Sequence, residues 1–363
     1  MTRSPQGPVS AARLAELARG HEDLRVVPGP RSGATIAIAV HSTALGPALG
    51  GVRMWHYGSS ADGVADALRL ARAMTYKAAA AGLDLGGGKG VICTPTPARP
   101  TGELRRRMLL DFGDAVESLQ GRYVTAEDVG TGAADMVAIA ERTAHVVGLP
   151  AEHGGRGDPS PLTARGVLAA IGACLEHRFG DASVFGVRIT VVGVGSVGSR
   201  LARMLAAAGA ELTVSDIDPT REALAEELGA KWIDPEEAIA ADCDVLAPCA
   251  LGGAIDAATI ERLRCQIVCG SANNVLSDER LADELAQRGI LYAPDFIANA
   301  GGLINVCAEL QDLDDLEALR LVDQIGPTVR RILEAADRKG ATPLLAAQEQ
   351  ALERLRAAAV AVA

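Results

Sequence analysis

The sequence predicts a two-domain α/β protein, and three observations lead to that prediction. The chain has 363 residues, more than a single hydrophobic core usually organises. Strand-like and helix-like segments alternate along most of it, which is typical of α/β layers. A run rich in glycine, proline and charge, residues 153–161, separates two such regions. We therefore predict an N-terminal domain of residues 1–150 and a second domain of residues 151–339.

The N-terminal domain is predicted to contain helices and strands in near alternation. A long amphipathic pattern indicates a helix that carries Lys77, and a glycine-rich stretch without an assigned element, residues 45–55, precedes it. Acidic, helical residues from about 314 to the end are expected to return to this domain, with residues 340–363 as the packing helix. The predicted elements are helix 10–20, strands 26–27 and 34–40, helix 61–81, strand 89–94, helix 102–119, strand 122–126 and helix 132–142.

Two lysines lie on either side of a predicted turn in this domain. Lys77 falls in the last turns of the long helix, and Lys89 comes directly after three glycines, residues 86–88. Glycines let the backbone approach another group closely, and the next side chain then loses much of its hydration. Burial and a second ammonium nearby lower the pKa of a lysine toward neutrality, which suits proton transfer or attack on a carbonyl. A flexible surface loop that ends in a solvated lysine explains these residues equally well.

Polar residues follow several predicted strands. The strand 122–126 ends in TAEDVGTG, so Glu127 and Asp128 lie where an open α/β sheet usually binds its ligands. In the second domain, three strand ends are expected to carry polar or reactive side chains toward one edge. These side chains are Cys249, Asn273 and Asp295.

The second domain contains the motif GVGSVG, residues 193–198, between a strand-like and a helical segment. Gly193 would make the tight turn, Gly195 would let a pyrophosphate reach the helix N-terminus, and Gly198 would let helix and strand pack closely. The next strand ends at Asp216, 23 positions after Gly193, near the spacing expected of a ribose-binding acid. Such an acid binds the 2′-hydroxyl and repels a 2′-phosphate. The motif therefore predicts a Rossmann-type domain that prefers NAD over NADP, with an ordinary glycine turn as the alternative.

Composition and charge exclude several classes of function. The formal net charge is −11, which speaks against nucleic-acid and membrane-surface partners. No segment reaches the ~20 apolar residues of a membrane helix, so we expect a cytoplasmic protein. The seven cysteines contain no CxxC pair, and no His/Cys set completes a zinc site around Cys265 and Cys269. We therefore expect reduced cysteines and no metal.

Seven stretches of the chain resemble the family of amino-acid dehydrogenases that act on glutamate, leucine, phenylalanine and valine. They are most similar to the valine and leucine members, and they cover nearly the whole chain in the family's order. The stretches are HSTALGPALGGVRM, LRLARAMTYKAAAAGLDLGGGKGVI, RYVTAEDVGTGAADM, GVGSVG, DVLAPCALGGA, IVCGSANN and ILYAPDFIANAGGLINV.

The resemblance implies an NAD-dependent enzyme that converts an L-amino acid to its 2-oxo acid and ammonia. Lys89 would hydrogen-bond the amine and activate water, Asp128 would pair with Lys89 and shuttle protons, and Lys77 would hold the substrate carboxylate. The residues implied to assist Lys77 are Gly50, Gly51 and Asn273. The residues implied to contact NAD are Gly193, Val194, Gly195, Ser196, Val197, Gly198, Asp216, Arg53, Thr163, Cys249, Ala250, Asn273 and Asn299.

The resemblance also implies an apolar pocket for the substrate side chain. None of its residues could meet a second carboxylate, so glutamate should be excluded. Two large leucines favour valine or leucine over phenylalanine, which stays the alternative substrate. The pocket residues are Leu49, Ala126, Leu303 and Val306. Departures from the family pattern occur at Val275, Arg165 and Gly132-Ala133, and they bear on cofactor or side-chain contacts rather than on proton transfer.

Two other functions are compatible with parts of the sequence. A Rossmann dehydrogenase that acts on a hydroxy acid would more naturally use a histidine as its base. A non-enzymatic NAD-binding regulator would explain GVGSVG but would leave the GGGK and TAED motifs without a role. Family members form homo-oligomers, so a homo-oligomer that binds only small molecules is expected, with no membrane or nucleic-acid partner.

Overall fold

The computed structural model describes residues 9–362, and these form two compact units. The chain changes unit between Gly157 and Asp158. This point lies inside the glycine- and proline-rich run at residues 153–161. The first unit also includes Glu309–Asp312 and the chain from Ala351, and the second comprises Asp158–Ala308 and Leu313–Gln350.

The first unit is built around a five-stranded sheet. Its strands are β1 (Asp23–Pro28), β2 (Thr35–Ser42), β3 (Ala48–Trp55), β4 (Gly86–Cys93) and β5 (Tyr123–Glu127), and its helices are α1 (Ala11–Ala18), α2 (Ser60–Ala80), α3 (Gly102–Glu117) and α4 (Ala133–Ala140). The strand order is β1-β2-β4-β3-β5. Strand β2 is antiparallel to β1 and β4, whereas β3 is parallel to β4 and β5. Strand β3 occupies the glycine-rich stretch to which the sequence assigned no element.

Each face of this sheet has its own core, because successive side chains of a strand point to opposite faces. Ile36 and Ile38 of β2 pack into a core with Phe112 of α3. Ala37 and Ala39 lie on the other face, in a core with the buried residues of α2. The side chains that α2 contributes to this core are mostly small, so the helix lies close to the strands. They are Val64, Ala67, Leu68 and Ala71.

The three glycines of the predicted turn belong to strand β4. The sequence predicts a strand that begins after them, but the strand begins at Gly86. A Cβ added at Gly87 would overlap Thr75 of α2, and one added at Gly88 would overlap the ring of Tyr123 on the opposite face. Close packing that only glycine permits therefore outweighs the low strand propensity of glycine. The expectation that backbone approaches its neighbours closely here is confirmed.

The second unit contains a six-stranded parallel sheet in the order β11-β10-β9-β6-β7-β8. Its strands are β6 (Arg188–Val192), β7 (Glu211–Ser215), β8 (Lys231–Trp232), β9 (Val245–Pro248), β10 (Ile267–Val268) and β11 (Leu291–Tyr292). The chain runs outward in opposite directions from β6 and β9, which is the Rossmann arrangement. The predicted α/β fold with a Rossmann-type second domain is confirmed.

The remaining helices belong to this half of the chain. They are α5 (Ser160–Phe179), α6 (Ser196–Ala207), α7 (Glu222–Leu228), α8 (Pro235–Ala238), α9 (Leu281–Gln287), α10 (Asp295–Ala298), α11 (Gly301–Leu310), α12 (Asp315–Asp323), α13 (Ile325–Lys339) and α14 (Pro343–Val362). Helix α6 starts directly after the glycine motif. Its N-cap is Gly195, with φ −68°.

The helices after α11 do not return to the first unit as a group. Helices α12 and α13 pack against α5 within the second unit, because α13 has an apolar face that α5 buries. Only the chain from Ala351, within α14, groups with the first unit. There Arg354 donates to the carbonyl oxygens of Leu83 at 2.7 Å and Ala79 at 3.2 Å, and so holds the end of α2. The prediction of a return from residue 314 is therefore wrong for α12 and α13.

Candidate active site

Lys89 is a buried lysine in the middle of β4. It lies opposite Ala39 of β2, so its side chain points to the face of the sheet that α2 covers. Only 5% of the residue is exposed. The alternative interpretation, a solvated lysine at the end of a surface loop, is therefore wrong.

The ammonium of Lys89 forms an ion pair with the carboxylate of Asp128. Nζ lies 3.0 Å from Oδ2, and 23% of the Asp128 side chain is exposed. Asp128 directly follows β5, and the loop after it is held by Thr131. The hydroxyl of Thr131 accepts a hydrogen bond from the Asp128 N–H at 2.9 Å and donates one to the carbonyl of Val52 at 2.9 Å. These two hydrogen bonds therefore hold the backbone of Asp128 in a fixed position beside the sheet.

Arg53, from β3, joins this pair. Its Nε lies 2.9 Å from Oδ2 of Asp128, and its Nη1 lies 2.9 Å from Oδ2 of Asp66 on α2. The sequence assigned Arg53 to the cofactor, whereas here it bridges two carboxylates of the first unit. Lys89, Asp128, Arg53 and Asp66 form a cluster of alternating charge, which we call the charge cluster.

Burial and charge shift the pKa values in opposite directions within the charge cluster. Burial lowers the pKa of Lys89, the positive charge of Arg53 lowers it further, and Asp128 only partly opposes this shift. Burial alone would raise the pKa of Asp128, but Lys89 and Arg53 outweigh it and lower the pKa. A lysine that loses its proton more readily, next to a carboxylate that stays ionised, can accept and pass on a proton.

Gly50 and Gly51 allow β3 to lie close to this cluster. A Cβ added at Gly50 would overlap the carbonyl oxygen of Gly88, and one added at Gly51 would lie 2.9 Å from the Cβ of Asp128. The carbonyl of Gly50 also accepts a hydrogen bond from the buried hydroxyl of Tyr123 at 2.5 Å. The two glycines therefore leave bare peptide beside the ion pair.

The other predicted substrate residues of the first unit lie on neighbouring positions. Lys77 is partly buried on α2, two residues after Thr75, which packs on Gly87 of β4. Leu49 is 1% exposed and pairs with Gly87 across the sheet, and Ala126 is 8% exposed on β5. Lys77 therefore shares α2 with Asp66, and Leu49 shares β3 with Arg53. Ala126 lies on β5, which ends directly before Asp128.

A histidine is also buried under α2. His41 of β2 lies 2.9 Å from the hydroxyl of Thr75, through Nδ1. Burial, together with the nearby His21 and Arg72, lowers its pKa to about 4. His41 is therefore neutral near pH 7, and its Nδ1 bonds the hydroxyl of Thr75 rather than a carboxylate, unlike a histidine that serves as a general base.

The glycine motif of the second unit has the shape of a dinucleotide cradle. Gly193 has φ +94°, a conformation that favours glycine, and a Cβ there would lie 2.6 Å from the Cβ of Ala250. A Cβ on Gly198 would overlap the carbonyl of Gly193, so helix and strand need glycine at this position. A Cβ on Gly195 would meet no atom within 4 Å, so space remains beside the N-terminus of α6. These features fit the pyrophosphate of NAD.

Asp216 follows β7 and orients the motif. Its Oδ2 accepts a hydrogen bond from the N–H of Val194 at 2.7 Å, and its Oδ1 accepts one from the N–H of Asp218 at 3.0 Å. Ser196 and Val197 begin α6 behind this loop. The carboxylate is thus held beside the motif at the end of the second strand, where the fold binds the ribose of NAD.

The other predicted residues of the second unit fall into small groups. Nδ2 of Asn299 donates to Oδ1 of Asn273 at 2.9 Å. The hydroxyl of Thr163 donates to the carbonyl of Pro159 at 2.9 Å. The N–H of Cys249 donates to the carbonyl of Val192 at 2.7 Å, which ties β9 to β6 beside Gly193. Leu303 and Val306 lie on α11, and Ala250 packs on Gly193.

The three departures from the family pattern have structural explanations. Val275 is 1% exposed in the core of the second unit, and its N–H donates to Oδ2 of Asp295 at 2.9 Å. Arg165 pairs with Asp323 of α12 at 2.7 Å on the surface. Gly132 is the N-cap of α4 and donates its N–H to Asp135.

Asp66 is the functional candidate that the sequence analysis missed. It belongs to the same helix as Lys77, eleven positions earlier, which is about three turns and therefore the same face. That spacing was visible in the sequence. Its link to Arg53 was not, because the two residues meet only when β3 packs under α2.

Family models match most of the chain. Residues 31–145 match the model described as Glu/Leu/Phe/Val dehydrogenase, dimerisation domain. Residues 220–362 match the model described as Glutamate/Leucine/Phenylalanine/Valine dehydrogenase. Residues 172–264 also match the NAD binding domain of D-isomer specific 2-hydroxyacid dehydrogenases. The last match concerns the cofactor-binding fold alone.

Individual relatives are similar over nearly their whole length. The chain is 44% identical over 336 residues to leucine dehydrogenase of Thermoactinomyces intermedius, covering 92% of this chain and 91% of that protein. It is 42% identical over 340 residues to valine dehydrogenase of Streptomyces coelicolor, covering 93% and 92%. The crystal structure of L-tryptophan dehydrogenase from Nostoc punctiforme superposes with a TM-score of 0.84 at 37% identity, covering 96% of this chain and 98% of that one. Between residues 9 and 362, no helix combines the length and apolarity needed to span a membrane.

Proposed function

The chain belongs to the Glu/Leu/Phe/Val dehydrogenase family, and we propose that it catalyses the reversible, NAD-dependent oxidative deamination of a branched-chain L-amino acid, valine or leucine. The products are the 2-oxo acid and ammonia. The observation that carries this proposal is the buried pair of Lys89 and Asp128, 3.0 Å apart. Phenylalanine is the alternative substrate, and a non-catalytic NAD-binding protein is a weaker alternative.

The glycine motif and Asp216 hold the cofactor. The space beside Gly195 would hold the pyrophosphate, because the first N–H groups of α6 and the helix dipole favour negative charge there. The carboxylate of Asp216 selects a free ribose hydroxyl. The chemistry supplied by bound NAD is acceptance of a hydride from the substrate Cα.

Lys77 and Lys89 divide the recognition of the amino acid between them. The ammonium of Lys77 pairs with the α-carboxylate, assisted by the bare backbone of Gly50 and Gly51. Lys89 is held by burial in a state that loses its proton readily, so its amine can accept a hydrogen bond from the substrate amine. The two lysines therefore have different roles although they are the same residue type.

Lys89 and Asp128 then move protons. Once the substrate carries an imine, neutral Lys89 removes a proton from the water that adds to Cα. Asp128, which is bonded to Lys89, relays that proton to the nitrogen of the resulting carbinolamine. The carbinolamine hydroxyl then gives its proton to the pair as the C–N bond breaks, so ammonia leaves, the 2-oxo acid remains and the pair passes this proton to solvent. The pair returns to its starting protonation state after each turnover.

The side-chain pocket is proposed to be apolar throughout. The residues assigned to it, Leu49, Ala126, Leu303 and Val306, carry no charge that could compensate the second carboxylate of glutamate. Burying an unpaired carboxylate would cost several kcal/mol, so glutamate should be a poor substrate. We also propose a homo-oligomer, supported by the match of residues 31–145 to a dimerisation domain, and a cytoplasmic location.

One assay tests the proposal. The purified protein is incubated with NAD and single L-amino acids, and the absorbance of NADH is followed, with the D-enantiomers as matched controls. L-Valine and L-leucine should be oxidised. A protein that binds NAD but oxidises no amino acid would be the non-catalytic alternative.

A further inference from the structure

Asp66 is a mostly buried carboxylate that the proposed proton transfer does not use. Its side chain is 14% exposed. Oδ2 accepts hydrogen bonds from Nη1 of Arg53 at 2.9 Å and from the hydroxyl of Tyr57 at 2.8 Å, and Oδ1 accepts one from Nη2 of Arg69 at 2.6 Å. A buried charge is tolerated only when it is paired in this way, and the more buried of its two cationic partners is Arg53.

Arg53 divides its guanidinium between two carboxylates. It meets Asp128 through Nε and Asp66 through Nη1, and Lys89 bonds the same oxygen of Asp128 as Arg53 does. A guanidinium is planar and can grip one carboxylate with two parallel N–H bonds. Without Asp66, Arg53 could turn and grip Asp128 in that way, in competition with Lys89.

We propose that Asp66 is a positioning residue for the reaction: by holding one arm of Arg53, it restricts Arg53 to a single bond to Asp128 and keeps Lys89 paired with that carboxylate. Tyr57 helps to hold Asp66, because its hydroxyl donates to the same carboxylate oxygen as Arg53 does. This inference rests on the proposed function of Lys89 and Asp128. In this proposal Asp66 acts through Arg53 rather than by contact with the substrate or the cofactor.

The inference has an electrostatic consequence for Lys89. The charged groups that act on Lys89 are Asp128 after β5, Arg53 on β3 and Asp66 on α2. Asp66 raises the pKa of Lys89, and Arg53 lowers it. The nearest titratable group of β2 is His41, which stays neutral above its pKa of about 4. Loss of the Asp66 charge should therefore leave Arg53 unbalanced and lower the pKa of Lys89.

The pH profile of kcat/KM for L-leucine tests this consequence. In the wild type, activity should rise with pH as Lys89 loses its proton. In Asp66→Asn this limb should move to lower pH by about half a unit or more, since a charge within ~4–6 Å shifts a pKa by 1–3 units and Asp66 acts across Arg53. The maximal kcat should fall by about tenfold through misplacement of Asp128. The same substrate is used throughout, so its own titration cancels.

Two matched variants separate positioning from folding. Asp66→Glu keeps the charge, so its limb should stay at the wild-type pH even where kcat falls. Arg69→Gln removes the other cationic partner of the Asp66 carboxylate, a side chain that is 59% exposed. This variant should leave both kcat and the pH of the rising limb unchanged. An unchanged limb in Asp66→Asn would overturn the proposal. If Asp66→Asn does not fold, a shifted limb in Asp66→Glu overturns it instead.

A second measurement does not depend on turnover. The sequence contains four lysines, Lys77, Lys89, Lys231 and Lys339. Lysine labelled with ¹³C at Cε should therefore give four NMR signals, which Lys→Arg variants assign. The titration midpoint of Lys89 should be lower in Asp66→Asn than in the wild type, and an equal midpoint would overturn the inference. If the wild type oxidised no amino acid but the Lys89 midpoint were still lower in Asp66→Asn, only the proposed function would be rejected.

Discussion

The two candidate sites of this chain are built in opposite ways. In the first unit, charged side chains are packed under α2, and Lys89, Asp128, Arg53 and Asp66 bond one another in sequence. In the second unit, the motif at residues 193–198 offers backbone N–H groups and open space, and the carboxylate of Asp216 accepts a hydrogen bond from one of those N–H groups. The first site consists of charged side chains that the fold shields from water. The second consists of backbone and of space that glycines leave open.

This difference teaches where each unit should be sensitive to substitution. The first site should fail when a side chain is removed, because its chemistry depends on one ammonium and one carboxylate. The second should fail when a side chain is added, because a Cβ fills the space that a ligand needs. Glycines occur at both sites but serve different purposes. Gly87 and Gly88 make room for the protein itself, whereas Gly195 makes room for a ligand.

Removal of the Lys89 side chain should have the largest effect. Lys89→Ala should lower kcat by about 10² or more, the scale of losing a general acid–base group. The fold should persist, because Asp128 keeps its ion pair with Arg53 at 2.9 Å. Steady-state formation of NADH and far-UV circular dichroism measure the two expectations.

The matched control is Lys231→Ala, which removes an exposed lysine of β8 in the second unit. It should leave kcat unchanged. Near-normal turnover in Lys89→Ala would exclude Lys89 from proton transfer. The charge cluster would then no longer be a candidate for the catalytic site.

Addition of a methyl group to the glycine motif should have the next largest effect. Gly195→Ala should weaken NAD binding by about tenfold or more, since one carbon in a fitted site is worth ~1–3 kcal/mol. Its melting temperature should stay near that of the wild type, because φ is −68° and no atom lies within 4 Å. Gly198→Ala should instead lower the melting temperature, because its Cβ would overlap the carbonyl of Gly193. Calorimetric titration measures the affinity for NAD, and thermal unfolding measures the melting temperature of each variant. Equal melting temperatures of Gly195→Ala and Gly198→Ala would contradict the different roles of the two glycines.

The glycine motif could be predicted from the sequence because its geometry is local. The turn at Gly193, the helix that follows and the acid at Asp216 lie within one strand–helix–strand unit, so spacing alone defines them. The strand end at Asp128 was predicted for the same reason. Both predictions depend on short stretches whose backbone path is determined by their own residues.

The charge cluster could be predicted only in part, because it is assembled from distant stretches. The bond from Arg53 to Asp66 depends on how α2 lies on the sheet, which is set by Ala67 and Ala71 packing on Ala37 and Ala39. The strand position of the glycines before Lys89 was missed because glycine has a low strand propensity that tertiary packing overrides here. Similarly, no local pattern distinguishes α13, which packs on α5, from a helix that returns to the first unit.

Substitution of Asp216 should change cofactor choice without loss of catalysis. The wild type should prefer NAD over NADP, and Asp216→Ser should reduce the ratio of their kcat/KM values by about tenfold, or about 1.4 kcal/mol. Asp218→Asn is the control, since Asp218 caps the next turn through Thr220. A wild type with equal kcat/KM for both cofactors would contradict the role of Asp216.

Discrimination between the two aliphatic substrates should show a smaller effect. The kcat/KM values for L-valine and L-leucine should exceed those for L-phenylalanine and L-glutamate. One methylene is worth only ~1–3 kcal/mol in an apolar pocket, so valine and leucine themselves should differ least. If phenylalanine exceeded both aliphatic substrates tenfold, the assignment of Leu49 and Leu303 to the pocket would be wrong, with the backbone around Gly132 or Leu303 as the first place to look.

The last prediction compares how the two units respond to acid. Asp128 and Asp66 are mostly buried, but cationic partners outweigh burial and lower the pKa of both carboxyls. The partners are Lys89 and Arg53 for Asp128. They are Arg69 and Arg53 for Asp66. A lowered carboxyl pKa contributes stability that is present above the ordinary value of about 3.9 and is lost as pH falls through the folded-state pKa. In the second unit, lowered carboxyl pKa values belong to surface pairs such as Asp278 with Arg280, and Asp244 with Arg188, whose side chain is 45% exposed. Solvent screens such pairs more than the charge cluster.

Acid should therefore weaken the first unit more than the second. The chain has two tryptophans, Trp55 on β3 and Trp232 on β8, so Trp232→Phe and Trp55→Phe give variants whose fluorescence reports one unit each. Below pH 4, thermal unfolding reported by Trp55 should move to lower temperature faster than unfolding reported by Trp232. Adding Asp66→Asn should flatten the acid dependence at Trp55 and leave Trp232 unchanged. If both tryptophans reported one coincident transition at every pH, the units would unfold together and the buried charges would stabilise the whole chain.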